Sequence, residues 1–289
     1  MALRCVCLCG GLVTVVRMVG SAYRVGMADA KPAITGPAGG GFGPLRWLPE
    51  TESTNSLLVA EAAAGARHGA VVVADHQTAG RGRLGREWKS EPGSSLAVSV
   101  LLRPDAASFP LPLVGVAVAN AALEACRGLG ADVYLKWPND LVSGPGAVLK
   151  LGGILSEVVP HPSLAAVAGL GLNLKDPLPQ EVQSSATNIQ RLTGSVPDAA
   201  TLVSAYLGAL DSHYTALATA GGTASELGLY RERCVTLGQL VRVELPGGSV
   251  QGVASGVTER GELLVKSIGE ELTVVAVGDV VHLRALRAG

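Results

Sequence analysis

Aromatic side chains are scarce in this chain: two Phe, five Tyr and three Trp among 289 residues. The core must therefore rest on Val, Leu, Ile and Ala, and no strand face carries the aromatic residues that single-stranded nucleic acid stacks on. Charge is thin as well. Charged residues make up 16% and the formal net charge is −1, which gives no global electrostatic reason to expect nucleic acid. With 48% hydrophobic residues, a disordered chain is excluded too. The apolar stretch behind Arg4, ending at Val16, is too short to cross a bilayer and no A-x-A cleavage site follows directly behind it, so no membrane partner is expected. Cysteines are few and odd in number. Cys126 and Cys234 lie far apart in apolar surroundings and read as buried free thiols of a reducing, cytoplasmic protein. The Cys5, Cys7, Cys9 run has no partner His or CxxC pair nearby, which counts against a metal site.

Glycine is what the chain has in abundance, 38 residues of it. Residues 1–44 read as a flexible leader, Gly/Pro-rich toward its end, with Met18 and Met27 as later starts that would make the first residues an artefact of start assignment. From Leu45 the pattern becomes ordered. Ser53, Thr54 and Asn55 cap a helix over Ser56–Ala64. Strands are expected at 70–75, Leu96–Leu102, Val133–Trp137, Gly153–Val159 and Leu164–Leu174. Helices are expected at Pro112–Arg127, Asp198–Ala218 and Ala224–Cys234. Beyond Leu237 short alternating strands with turns at 246–248, 259–261 and 268–270 predict five strands in a small closed barrel. The expectation is an α+β domain over 45–235 and an all-β domain over 236–289. The Gly/Pro-rich residues before Leu45 show no pair of amphipathic helices and do not read as a DNA-binding unit.

Four segments carry possible chemistry. In GRGRLGREW, Gly80 to Trp88, three arginines alternate with three glycines. Glycine lets backbone approach a ligand closely, and guanidinium forks pair with phosphate or carboxylate oxygens. The order is neither a P-loop nor a dinucleotide fingerprint, and a small-anion site, an RNA-contacting loop and a solvated turn all fit it. KWPND, Lys136 to Asp140, places an amide and a carboxylate after a stiff bend, as an ordinary Asn-Asp turn also would. KLGGILSE, Lys150 to Glu157, sets a lysine before two glycines and a buried strand; it is either a phosphate contact or a solvated strand entrance. In GLGLNL, 169–174, Gly169, Gly171 and Asn173 interrupt an apolar strand, marking a bulge or a surface something lies against.

Taken together and in order, ESTN at 52–55, HQTAGRGRLGREW, KWPND, KLGGIL and GLGLNL closely resemble the biotin–protein ligases, and the terminal barrel is similar to that family's carboxy-terminal domain. The resemblance covers about residues 45 to 287. It implies a catalytic domain related to class II aminoacyl-tRNA synthetases, a mixed sheet, and an SH3-like barrel. It implies ATP-dependent formation of biotinyl-5′-adenylate and transfer to a lysine of the biotin carboxyl carrier domain of an acyl-CoA carboxylase, with Mg²⁺ accompanying ATP. By the resemblance, Ser53, Thr54, Asn55 and Gln77 grip biotin, chiefly its ureido ring. Gly80, Arg81, Gly82 and Arg83 close over biotin and adenylate, Arg81 and Arg83 meeting carboxylate and phosphates. Arg86 holds the closed loop or ATP, and Trp88, Asn139 and Asn173 belong to the ATP side. Lys150 is the central catalytic residue, together with Arg83 and with Asp140, which holds Mg²⁺ or takes the proton of the incoming lysine. Gly153, Leu155 and Gly171 line the pockets with backbone, and Arg284 reaches back toward the nucleotide.

The turn SGPGAVLK is longer than the family pattern, which bears on the hairpin register and leaves Lys150 fixed by KLGGIL. Members of the family occur as monomers and homodimers, and those with a DNA-binding domain also repress transcription; this chain resembles the kind without one. Three rivals stand beside the resemblance: a lipoate–protein ligase, which shares fold and adenylate logic, a nucleic-acid-binding module using the Arg/Gly loop, and a non-catalytic biotin sensor.

Overall fold

The computed structural model describes residues 41–43, 45–105, 108–144, 147–160, 164–245, 247–267, 269–276 and 278–282. The Cys5–Cys9 run, nearly all of the leader, Pro145 and Gly146 of the long turn, and Arg284 lie outside them. In chain order come β1 (Leu45–Leu48), α1 (Thr54–Ala63), β2 (Val71–Ala74), β3 (Gly80–Arg81), β4 (Glu87–Trp88), β5 (Ser95–Leu102) and α2 (Val114–Gly128). Then follow β6 (Val133–Lys136), β7 (Asp140–Ser143), β8 (Lys150–Val159), β9 (Ala165–Asn173), α3 (Ile189–Thr193), α4 (Ala199–Leu217) and α5 (Gly222–Arg233). The chain continues through β10 (Leu240–Leu245), β11 (Gly248–Val257), β12 (Leu263–Lys266), β13 (Leu272–Val275) and β14 (Asp279–His282).

Seven strands form one mixed sheet in the order β1-β2-β5-β9-β8-β7-β6. Only β1 and β2 run parallel; the other neighbours are antiparallel. Alternation along the strands sorts side chains between two faces. On one face Leu96, Val98, Val100, Ala168, Leu170 and Leu172 join α2, α4 and α5 in the main core. On the other, Val72, Leu101, Val159, Ala165 and Val167 meet Leu58 and Ala62 of α1. The stretch Leu111–Gly128 is apolar enough by composition to cross a membrane, but most of it is buried as the central core helix.

α1 starts at Thr54, two residues before the expected Ser56, because Ser53 alone of the three candidate caps takes the capping position. Ser53 is extended and its hydroxyl accepts from the Ser56 N–H, closing the first turn. Four strands escape periodicity: β1, the two-residue β3 and β4, and β7, which follows the Pro138 bend and completes a hairpin with β6. β8 begins at Lys150, three residues before the expected start at Gly153, because Gly152 and Gly153 pair with Leu141 and Asp140 as ladder residues. The carboxy-terminal strands pair antiparallel as β13-β12-β11-β10-β14.

Candidate functional site

α1 covers only part of its sheet face. Beyond the helix's first turn the register lines up small residues, and they form a floor. Ala97, Gly171, Gly153, Asp140 and Lys136 are consecutive cross-strand partners over β5, β9, β8, β7 and β6. The next row is Ser99, Gly169 and Leu155. Over this floor opens a cavity of about 280 Å³. A side chain at Gly171 would meet the Trp88 indole at 2.9 Å, and one at Gly169 would meet Asn55 at 2.1 Å, so the glycines are what let Trp88 and Asn55 lie on the sheet.

The β3–β4 hairpin hangs over the cavity. Gly80 pairs with Trp88 and Arg81 with Glu87, while Leu84 and Gly85 turn the chain with positive φ. The three arginines diverge. Arg81 Nη2 lies 2.5 Å from Glu157 Oε2. Arg83 reaches Asn139 Oδ1 and Gly278 O at 3.4 Å, and its burial lowers its pKa from the ordinary guanidinium value. Arg86 pairs with Asp279 of β14, tying the hairpin to the carboxy-terminal sheet.

At the cavity's other side Lys150 Nζ sits 2.7 Å from Asp140 Oδ1 and 5.9 Å from the Trp88 ring centre. Asn139 is braced through its Nδ2 on Ile154 O at 2.8 Å. At the α1 end, Gln77 Oε1 accepts from the Thr54 N–H at 2.8 Å. Asn55 Nδ2 donates to Leu155 O at 3.0 Å and Glu157 Oε2 at 2.9 Å. Ser99, fully buried behind the wall, places its Oγ 2.7 Å from Thr54 Oγ1 and 2.6 Å from Asn55 Oδ1. The arrangement offers three arginines, a lysine with a carboxylate beside it, and a polar wall at the far end, which suits an elongated anionic ligand.

Residues 47–173 match the biotin/lipoate A/B protein ligase family, and residues 236–283 match the biotin protein ligase C terminal domain. A biotin–[acetyl-CoA-carboxylase] ligase of Mycobacterium tuberculosis is 39% identical over 254 residues, spanning 86% of this chain and 92% of the relative. The chain belongs to the biotin protein ligase family. A second relative, the biotin–[acetyl-CoA-carboxylase] ligase of Paracoccus denitrificans, is 31% identical over 76% of this chain and 92% of its own length. Among solved structures, the biotin protein ligase of Aquifex aeolicus in complex with biotin and ATP superposes with a TM-score of 0.71 at 26% identity, covering 83% of this chain and 99% of that one. The chain is therefore a ligase of the mixed α+β biotin protein ligase fold with the family's own carboxy-terminal domain.

Within this ligase the cavity gathers Ser53, Thr54, Asn55, Gln77, Arg81, Gly82, Arg83, Arg86, Trp88, Asn139, Asp140, Lys150, Gly153, Leu155 and Gly171, all singled out from the sequence. Gly80 and Asn173 stand apart. Gly80 backs the hairpin beneath Trp88, and Asn173 is buried with its Nδ2 on Thr187 O at 3.0 Å. Sequence reasoning passed over Ser99, Glu157 and Asp279. Glu157 was legible by alternation, since 153, 155 and 157 share one strand face. Ser99 stood out only as a lone hydroxyl in an apolar strand, and Asp279 is brought in by the packing of a distant sheet.

Proposed function

We propose that this chain joins biotin to ATP as biotinyl-5′-adenylate, releasing pyrophosphate, and passes the biotinyl group to a lysine of the biotin carboxyl carrier domain of an acyl-CoA carboxylase. The observation that carries the reading is the single cavity in which Lys150, Asp140, Arg83 and Trp88 meet over the glycine floor. A carboxylate is a poor electrophile, and adenylation gives it a good leaving group. Bringing two anions together requires cations that offset their repulsion and the charge developing at the α-phosphate. Lys150 is the group for that task, with Arg81 and Arg83 on the carboxylate and phosphates. Nucleotide phosphate replaces Asp140 as the partner of Lys150, which leaves Asp140 either to hold Mg²⁺ with ATP or to accept the proton of the incoming lysine, whose unperturbed pKa is about 10.4.

The ring of biotin goes to the polar end, against Ser53, Thr54 and Gln77. Gly153, Leu155 and Gly171 supply the floor, Gly82 closes over it, and Arg86, Trp88 and Asn139 face the ATP side. Asn173 acts as a brace for the strand carrying Gly171. Among the described residues no group of three or more His, Cys, Asp or Glu side chains is placed to hold a metal. Mg²⁺ takes one or two carboxylates and leaves its other positions to phosphates and water. Asp140 and Asn139 would hold it, and the ion when bound offsets phosphate charge. We read the two domains, 45–235 and 236–289, as a class II synthetase-like catalytic domain and an SH3-like barrel. Buried thiols support a cytoplasmic setting: burial pushes Cys126 up to about 12 and raises Cys234.

The test is incorporation of labelled biotin into a purified biotinyl domain with ATP and Mg²⁺, for wild type and Lys150→Ala. The wild type labels the carrier and the variant loses about 10²-fold or more of the rate. A wild type that binds biotin and labels no biotinyl domain contradicts the transfer step, and one that binds no biotin overturns the whole reading.

A further inference from the structure

We propose that Ser99, together with Asn55 and Glu157 behind the wall, is a positioning residue that fixes which ring-binding groups donate and which accept. The inference rests on the biotin reading above. It follows from counting protons along one hydrogen-bonded chain. Asn55 Nδ2 faces two obligate acceptors, Leu155 O at 3.0 Å and the Glu157 carboxylate at 2.9 Å, so its amide cannot be flipped. Asn55 Oδ1 then faces Ser99 Oγ at 2.6 Å and has no proton to give. Ser99 owns one hydroxyl proton and must direct it there.

Having donated to Asn55, Ser99 can only accept at its other contact, Thr54 Oγ1 at 2.7 Å. The Thr54 proton therefore points into the wall toward Ser99, a shorter contact than the 3.1 Å to Gln77 Oε1. Thr54 is left as an acceptor toward the cavity. Gln77 is fixed from its own side, because its Oε1 takes the Thr54 N–H at 2.8 Å, which leaves Nε2 as a donor. Ser53 accepts from the Ser56 N–H with its oxygen and keeps its proton free. The wall thus presents two donors, Ser53 and Gln77, and one acceptor, Thr54. A cyclic urea, with one carbonyl oxygen and two N–H groups, is the complement of that set; a dithiolane has neither. Asn55 in this account is a relay with both amide protons engaged, and Glu157 is the fixed charge that sets its direction.

The experiment measures binding of biotin and of 2-iminobiotin, whose ring carbonyl is replaced by a protonated nitrogen at neutral pH, to wild type and Ser99→Ala. Without Ser99 the Thr54 proton is released and the wall loses its fixed polarity. Biotin Kd is expected to rise about tenfold, the scale of one misdirected hydrogen bond. The biotin/2-iminobiotin preference narrows, while the KM for ATP stays within about twofold. A merely structural defect would weaken both ring ligands and ATP alike, and that result, or an unchanged biotin Kd, overturns the proposal. Should Ser99→Ala fail to fold by circular dichroism, Ser99→Cys, whose thiol is a weak donor of similar size, decides instead through the same preference ratio, which must narrow. A wild type that binds no biotin sinks the ligase reading itself, whereas normal wild-type binding with an unmoved ratio in the variants sinks only this inference.

Discussion

Gly169→Ala should destabilise the fold by driving Asn55 off the sheet. A methyl group there would stand 2.1 Å from Asn55 Oδ1, 2.8 Å from Cγ and 3.1 Å from Nδ2. Ordinary contact between carbon and its neighbours begins near about 3.5 Å, so Asn55 has to retreat by about 1 Å or more. It is poorly placed to do so, being held by Ser99 at 2.6 Å, Leu155 O at 3.0 Å and Glu157 at 2.9 Å. A retreat of that size breaks the Ser99 contact, worth about 1 kcal/mol, and the charge-assisted one to Glu157, worth about 2 kcal/mol. Residual overpacking in a buried site adds about 1 kcal/mol or more. The expected loss is roughly 4 kcal/mol, a large part of a domain's usual stability. Urea unfolding reads it as a lower midpoint at unchanged slope. The cause is isolated by a cycle with Asn55→Ala, which removes the obstructing side chain. In that background Gly169→Ala should cost about 1 kcal/mol or less, leaving a coupling of about 3 kcal/mol. A single-variant loss below about 1 kcal/mol, or additive costs in the cycle, would refute the claim that Asn55 is pinned against this glycine.

Two further outcomes follow from charges elsewhere in the fold. His213 on α4 lies 2.9 Å from the buried Glu226 of α5, itself held by Asn120 at 2.7 Å, and 3.1 Å from Glu124 of α2. The hydrogen bond to Glu226, with further support from Glu124, raises its pKa above the ordinary 6.5 against the opposing effect of burial. A raised folded-state pKa means that the stabilisation is complete below the unfolded value and disappears as pH climbs through the folded one. The urea midpoint should therefore fall as pH rises from about 6.5, and His213→Gln should flatten that slope; an unchanged slope in the variant excludes this pair as its source. Asp279→Ala releases Arg86, which is mostly exposed, so stability should change by no more than about 0.5 kcal/mol. The β3–β4 hairpin loses a tether to the carboxy-terminal sheet, and trypsin should cut at Arg81, Arg83 or Arg86 faster than in wild type; equal cutting rates mean the pair does not restrain the hairpin.

What could be read from the sequence divides along a physical line. Periodicity located α1, α2, α4 and the long strands because each buries a face, and Ser53 marked the start of α1 because a helix's first N–H groups need an acceptor. The glycine-interrupted motifs located the floor, since only a missing side chain lets Trp88 and Asn55 rest on a strand. β1, β3, β4 and β7 were not legible, four residues or fewer being too short to establish a period. Contacts between remote segments were also beyond reach. Arg86 gave no sign of its partner 193 residues away, because that pairing depends on how the carboxy-terminal sheet sits against the hairpin.

Asn55 shows why residue type and motif position together still fall short of a role. The resemblance places it among the groups that grip the ligand, and it does line the cavity. Its hydrogen-bonding capacity is taken up by Leu155, Glu157 and Ser99, and this follows from strand register. Ser99, Gly169 and Leu155 are neighbours in one row across β5, β9 and β8. A slip of one residue in any of those strands would turn Ser99 into the helix-packed core and bring a bulkier side chain under Asn55. The polarity of the wall thus depends on a register set by the hydrophobic pattern of the whole sheet, which is why a serine with no contact to the cavity can govern what the cavity accepts.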